Sequence, residues 1–212
     1  MNALTRAMLN NAIGLGLFAA ITAGAIGITQ VLTQERIEQQ QAEARYKALR
    51  EVIPPDSYTN TLGTDTIALP ENEELGTEAG DAAFLALKNN QVTGVVLPVT
   101  APDGYSGDID LILGINREGQ LTGVRVTKHA ETPGLGDAIE ASKSDWILDF
   151  NGHSLDNPPP EDWKVAPDGG RFDALSGATI TSRAVVRAVY RGLVFFDDNR
   201  RILLDEAAAE VN

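Results

Sequence analysis

The stretch with the most chemical promise is DALSGATITSRAV, Asp173 to Val185, in which Thr179 stands among the small residues Ser176, Gly177 and Ala178. No histidine lies nearby, and a G-x-S-x-G element, a Walker loop and a triad partner are all absent, so Thr179 is not a self-activated nucleophile. Its hydroxyl needs outside help. A helix start would concentrate unpaired N–H donors and about half a positive charge, and small side chains would let a phosphate come close. Taken alone, these four residues fit a helix cap made by Ser176 or Thr179 better than a phosphate site. A hydrolase built on Ser176 is a weaker option still.

A second loop, HAETPGLG from His129 to Gly136, has its own geometry. Thr132 precedes a proline and is pushed extended, Pro133 and Gly134 suit the centre of a type II turn, and Gly136 again permits unusual dihedrals. Such a loop exposes backbone N–H groups, although an ordinary strand-exit turn would read the same. His129-Ala130-Glu131 echoes the H-x-E of zinc deaminases, but that chemistry needs cysteine ligands and the chain has none.

Composition narrows the chemistry further. Without cysteine there are no disulfides, thiolate zinc sites, iron–sulfur clusters or C-x-x-C-H haem attachments. The two histidines are His129 and His153, and the two methionines, Met1 and Met8, stand at the extreme start, which argues against axial haem ligation and histidine metal clusters. Redox chemistry here would need an organic cofactor. All 30 acidic residues lie after residue 34, as do all basic residues but Arg6, and the net charge is −13. Nucleic acid is therefore an improbable partner, and the acidity reads as a solvated, self-repelling surface.

The elements that must position these loops follow from pattern. Ala7 to Gln34 has no charged side chain and contains GLGLFAAITAGAIGI, enough for a hydrocarbon core that needs roughly 20 helical residues. A transmembrane helix fits better than a cleaved signal peptide, whose apolar region is shorter. Ala12, Gly16, Ala20 and Gly24 recur on one stripe and suit close approach of another membrane helix. Arg36, Arg45, Lys47 and Arg50 beyond the span would place the large part in the cytoplasm by the positive-inside count, but long domains can translocate regardless of charge, so residue pattern alone leaves the topology open.

Glu35 to Ile53 reads as a helical stalk stopped by Pro54-Pro55, with Ile37, Leu49, Val52 and Ile53 too sparse for a coiled coil. AAFLALKNN is a short helix or strand, and prolines confine QVTGVVLPVTAPDG to an edge or an end. DIDLILGI, NREGQ and LTGVRVTKH form a hairpin. SKSDWILDFNG is a short helix or strand capped by Ser142 or Ser144, LDNPPPEDW an extended loop, and WKVAPDGG a strand ending in a turn. Val185, Val189, Leu193 and Phe196 mark a final amphipathic helix, and DEAAAEVN a frayed tail.

HAETPGLG followed by Asp173-x-x-Ser176-Gly177-Ala178-Thr179 resembles the FMN-binding domain of the G subunit of the Rnf electron transport complex, a relative of the C subunit of the sodium-pumping NADH:quinone oxidoreductase. The resemblance covers nearly the whole chain. It implies an α+β domain with an antiparallel sheet and packed helices behind one N-terminal membrane helix. It also implies FMN carried on Thr179 through a phosphoester, installed by a separate flavin transferase from FAD, with Asp173 in the transferase recognition motif. Ser176, Gly177 and Ala178 would admit the phosphate and ribityl chain, and Glu131, Thr132, Pro133, Gly134, Leu135 and Gly136 would border the cofactor. The organisation expected is a cytoplasmic N-terminus (1–8), a transmembrane helix (9–33), a stalk (34–55), a periplasmic FMN-binding domain (56–204) and a tail (205–212), on the bacterial inner membrane.

The function implied is a covalently flavinylated electron carrier, not catalytic alone, in a membrane complex coupling electron transfer between NADH and ferredoxin to ion translocation. Its partners would be the other subunits of that complex and the transferase. The alternatives are the same flavin subunit in a sodium-pumping quinone reductase or in a system reducing a redox regulator, and a non-redox, membrane-tethered binding module in which SGAT only caps a helix.

Overall fold

The computed structural model describes residues 3–72, 75–77 and 80–206, except the side chains of 3–10, 28, 31, 35–46 and 206. The chain divides into two units, residues 1–44 and 45–212. Helix α1 spans Ala3–Val52, without a break between the expected span and the expected stalk. Within the first unit, Asn11–Gln34 is long and apolar enough to cross a membrane by length and composition, with a mean hydropathy of 1.9. Its threonines satisfy their own hydroxyls: Thr22, Thr29 and Thr33 donate to the carbonyls of Phe18, Ala25 and Thr29, which suits a medium with no water to bond. Of the expected stalk's apolar residues, the side chain of Ile37 lies outside the described residues.

The second unit is built on an antiparallel meander of five strands in sequence order: β1 (Thr66–Ala68), β2 (Ala82–Lys88), β3 (Gln91–Ala101), β4 (Ile109–Asn116) and β5 (Leu121–Lys128). The β4–β5 hairpin is the one expected from alternation. Its residues Ile109, Leu111, Leu113 and Ile115 point to one face, where they pack with helix α2, Thr179–Asp198. Gly192 lets α2 approach closely, since a Cβ there would lie 2.3 Å from Leu113 Cδ1. Val185, Val189, Leu193 and Phe196 all fall on the buried stripe of α2.

The opposite face holds a smaller core of Leu49, Val52, Ile53, Leu62, Ala86, Val96 and Ile112. Leu49, Val52 and Ile53 of the stalk are thus the underside of a lid on the sheet, which explains their poor fit to a heptad. Gly114 and Gly123 are register partners on β4 and β5, and a Cβ on either would strike Val52, at 2.1 Å from its O and 2.6 Å from its Cα respectively. The Thr122 hydroxyl donates to the Val52 carbonyl, one of the last four carbonyls that a helix leaves unpaired. Pro54 and Pro55 follow and stop α1.

Several expectations narrow or change. AAFLALK is a strand, β2. Strand β3 is not an edge but the centre of the sheet. Pro98 is tolerated because β2 pairs with β3 only as far as Val96; the Thr100 N–H bonds to Leu75 O on that same side, so the donor that Pro98 lacks faces away from β4. WKVAPDGG is no strand: Ala166–Asp168 is a short 3-10 turn closed by Gly169 at φ 81°, with only a single bridge between Val165 and Phe172. WILDF (Trp146–Phe150) is a 3-10 helix whose N-cap is Asp145, neither of the two serines offered, although the Ser144 hydroxyl, one residue earlier, accepts the Trp146 N–H. A helical turn, Ile202–Glu206, takes in the first two residues of the expected tail, with Leu203 and Leu204 just before it buried, and residues 207–212 lie outside the described residues.

Candidate cofactor site

Helix α2 begins at Thr179, which is half-buried. Its N-cap is Ala178, with no side-chain capping bond, so the reading in which Ser176 or Thr179 caps this helix does not hold. Both Ser176 and Gly177 are exposed. Gly177 adopts φ 76°, a left-handed conformation that favours glycine, and this turn carries the chain into the helix. Further in, the Ser182 hydroxyl accepts the Leu175 N–H and donates to the Ala178 carbonyl, closing the SGA turn from below. Asp173 is exposed, and its carbonyl accepts the Trp146 indole N–H at 2.7 Å. The result is a helix end whose first-turn N–H groups have no carbonyl a turn earlier and no capping oxygen from the N-cap side chain.

The HAETPGLG loop leaves β5 and turns as its residues suggest: the Leu135 N–H bonds to Thr132 O at 3.1 Å, with Gly134 at φ 79°. Thr132, Pro133, Gly134 and Leu135 are exposed, whereas Gly136 is buried. The two loops meet, because a Cβ on Gly177 would lie 3.2 Å from Leu135 Cδ2. Glu131 takes a different place from its neighbours. Only 4 % exposed, its carboxylate accepts the Ser106 N–H at 2.9 Å and the Thr181 hydroxyl.

A charged lattice holds the loop from behind. Asp137 accepts the Gly134 N–H at 2.7 Å and pairs with Lys143 at 2.8 Å; Lys143 pairs also with Glu140 at 2.6 Å, and Glu140 faces His129 Nε2 at 3.0 Å. The Glu131 N–H donates to His129 Nδ1, which leaves Nε2 to carry the hydrogen toward Glu140. Hydrogen bonding to Lys143 holds the Asp137 and Glu140 carboxyls below their ordinary values, and the same contacts hold the Lys143 ammonium above its own. On α2, Arg183 lies one turn beyond Thr179 and forms a two-pronged pair with Asp168, which lowers that carboxyl.

Three large apolar side chains stay in solvent around this junction: Tyr105 on the β3–β4 loop (67 % exposed), Leu135 (46 %) and Ile180 in the first turn of α2 (49 %). Among the described residues no cluster fit for a metal ion occurs. The residues that sequence pattern did not single out are Ser106, Trp146, Thr181 and Ser182. The last two carry a recoverable signal, since both are polar residues on the buried stripe of an amphipathic helix.

The family described as FMN-binding domain matches residues 104–194, and that described as RnfG N-terminal region matches residues 1–52. Similar proteins include the G subunit of the ion-translocating oxidoreductase complex of Pseudomonas aeruginosa, 47 % identical with 99 % of each chain covered, and its counterpart in Vibrio cholerae, 41 % identical over 93 % of this chain and 94 % of the other. The counterpart in Shewanella piezotolerans is 38 % identical over 97 % of each. Among solved structures, the C subunit of the Na(+)-translocating NADH-quinone reductase of Parabacteroides distasonis shares the fold at TM-score 0.51 and 20 % identity, over 76 % of this chain and 94 % of that one. The chain therefore belongs to the family of G subunits of ion-translocating oxidoreductase complexes, with an FMN-binding domain behind an N-terminal helix that could span a membrane.

Proposed function

We propose that this subunit carries FMN covalently, through a phosphoester to Thr179, and passes electrons within a membrane complex that couples their transfer between NADH and ferredoxin to ion translocation. The observation that carries the reading is the start of α2: a half-buried threonine in the first turn, an alanine N-cap with no capping oxygen, and exposed glycines on both sides of the junction. The residues present fit the group. An anion at Thr179 meets the free N–H donors and positive end of α2, while Leu135, Ile180 and Tyr105 offer apolar surface to a flat ring. Gly134 leaves open space, with nothing within 4 Å of a Cβ built on it.

Maturation requires a separate transferase. The Thr179 oxygen forms a bond to the FMN-side phosphorus of FAD as the pyrophosphate bond breaks; AMP leaves, and the hydroxyl proton passes to a base of the transferase, since among the described residues no base is hydrogen-bonded to the Thr179 hydroxyl. The exposed Asp173, Ser176 and Gly177 present the motif that such an enzyme would read. Bound flavin supplies one- and two-electron transfer. The chain's own part is to hold it, with the Gly134–Gly136 backbone and the α2 start shaping its seat. Covalent attachment keeps the carrier at high local concentration beside its redox neighbours. In this reading residues 9–33 cross the inner membrane, residues 34–55 form the stalk, helical as far as Val52, and residues 56–204 lie in the periplasm, since a long domain can translocate regardless of flanking charge.

The test is a denaturing gel of protein purified from membranes of cells that express the transferase. Flavin fluorescence in the wild-type band and none in Thr179→Ala is the expected result. A dark wild-type band overturns the reading.

A further inference from the structure

Resting on the flavin reading of Thr179, we infer that Glu131 is a positioning residue: through Thr181 and Ser106 it locks together the three segments that must be in register for Thr179 to accept and hold its cofactor. The carboxylate reaches segments far apart in sequence. Its Oε1 accepts the Ser106 N–H from the β3–β4 loop, and its Oε2 accepts the hydroxyl of Thr181, two residues beyond Thr179 in the first turn of α2. Glu131 itself begins the ETPGLG loop. All of this is sealed from solvent, with Glu131 4 % and Thr181 1 % exposed.

Two glycines make room for it. A Cβ on Gly136 would lie 2.8 Å from Glu131 Oε2 and 3.1 Å from Thr181 Oγ1, and one on Gly104 would lie 3.0 Å from Glu131 Oε1. No ion pair reaches Glu131 among the described residues; Lys143 is engaged by Asp137 and Glu140, and His129 by the Glu131 N–H and Glu140. A buried carboxylate satisfied by one backbone N–H and one hydroxyl has directional bonds that apolar packing lacks, so it fixes register as well as proximity. Thr179, Tyr105 and Leu135 each sit one to four residues from an anchor of this knot, and their mutual placement depends on it. Glu131 does not itself face the cofactor, because both of its oxygens are turned inward to protein donors.

The experiment uses the full-length chain made in membranes together with the transferase, and reads the modified fraction by intact mass alongside the thermal midpoint. Thr181→Val keeps the shape but leaves a buried oxygen without its donor, and it is expected to lower the modified fraction roughly tenfold or more. Thr181→Ser restores the donor and the modification. Glu131→Gln retains an acceptor for Ser106 and an amide that the Thr181 oxygen can accept, so it stays near wild type; Glu131→Ala does not. Ile112→Ala, on the opposite face of the sheet, supplies a destabilised control that keeps its flavin.

The clamp is overturned if Thr181→Val is modified like wild type, if Thr181→Ser fails along with it, or if Ile112→Ala loses flavin in proportion to its own lost stability. A wild-type chain without flavin sinks the underlying reading and the clamp with it. Flavin on wild type, none on Thr179→Ala and unchanged Thr181→Val sinks the clamp alone.

Discussion

Glycines serve opposite purposes on the two sides of this molecule. Under the end of α1, Gly114 and Gly123 are gaps already filled by protein, with the Val52 main chain where their side chains would go. At the junction of the two loops, Gly134 meets nothing within 4 Å and Gly177 meets only Leu135. Absence of a side chain thus means close packing in one place and an unfilled approach in the other. The first kind stabilises the fold whatever the protein does; the second serves turns with left-handed φ and also leaves the room that the proposed cofactor would use.

Substitution separates the two kinds. Gly114→Ala should have the largest effect, because the new carbon meets backbone that cannot swing aside; overpacking of this kind costs about 1–3 kcal/mol, and the loss should appear as a lowered thermal midpoint with or without flavin. Gly177→Ala comes next, since its φ of 76° costs about 1–2 kcal/mol for a residue with a Cβ and Leu135 must give slightly. Its signature is lower flavin occupancy in a chain that still melts cooperatively. Gly134→Ala carries the left-handed cost alone, about 1 kcal/mol, in apoprotein. If its open space belongs to the ligand, the variant loses more stability in flavinylated chain than in a Thr179→Ala background; equal losses would erase the contrast.

The smallest effect concerns acid. The carboxyls of Asp137 and Glu140 titrate below their ordinary values of 3.8 and 4.5, so the stability they contribute to the loop is complete above those values and lost as pH falls through the depressed ones. The amide protection factor at Gly134, which corrects for the intrinsic pH dependence of exchange, should therefore fall below about pH 4, while that around Val52 stays flat. Lys143→Met should remove that difference.

Local pattern carried much of this architecture. Alternation in β4 and β5, the helical spacing from Val185 to Phe196, the stop at Pro54 and the Pro133-Gly134 turn are each decided by residues close in sequence, and each has the expected form. The place of β3 was not legible, because the rule against proline in a central strand applies to each side separately and Pro98 lies where one neighbour has ended. The seat for Val52 was hidden too: Gly114 and Gly123 look like weak points in a strand until a helix end from elsewhere in the chain covers them. At the site, Thr179 stood out by its small neighbours, but the tie from Glu131 to Thr181 joins residues 50 apart and has no short-range signature. The helix cap failed as an expectation for a simpler reason, since Ala178 rather than Ser176 or Thr179 occupies the capping position.

That alanine has a kinetic corollary. Had serine or aspartate headed α2, an arriving phosphate would first have to evict a resident oxygen from the amides, and the barrier to modification would include breaking bonds the protein had made with itself. With a methyl group there instead, no N-cap oxygen competes for the amides, so a transferase of the proposed kind would meet a landing place that is already open.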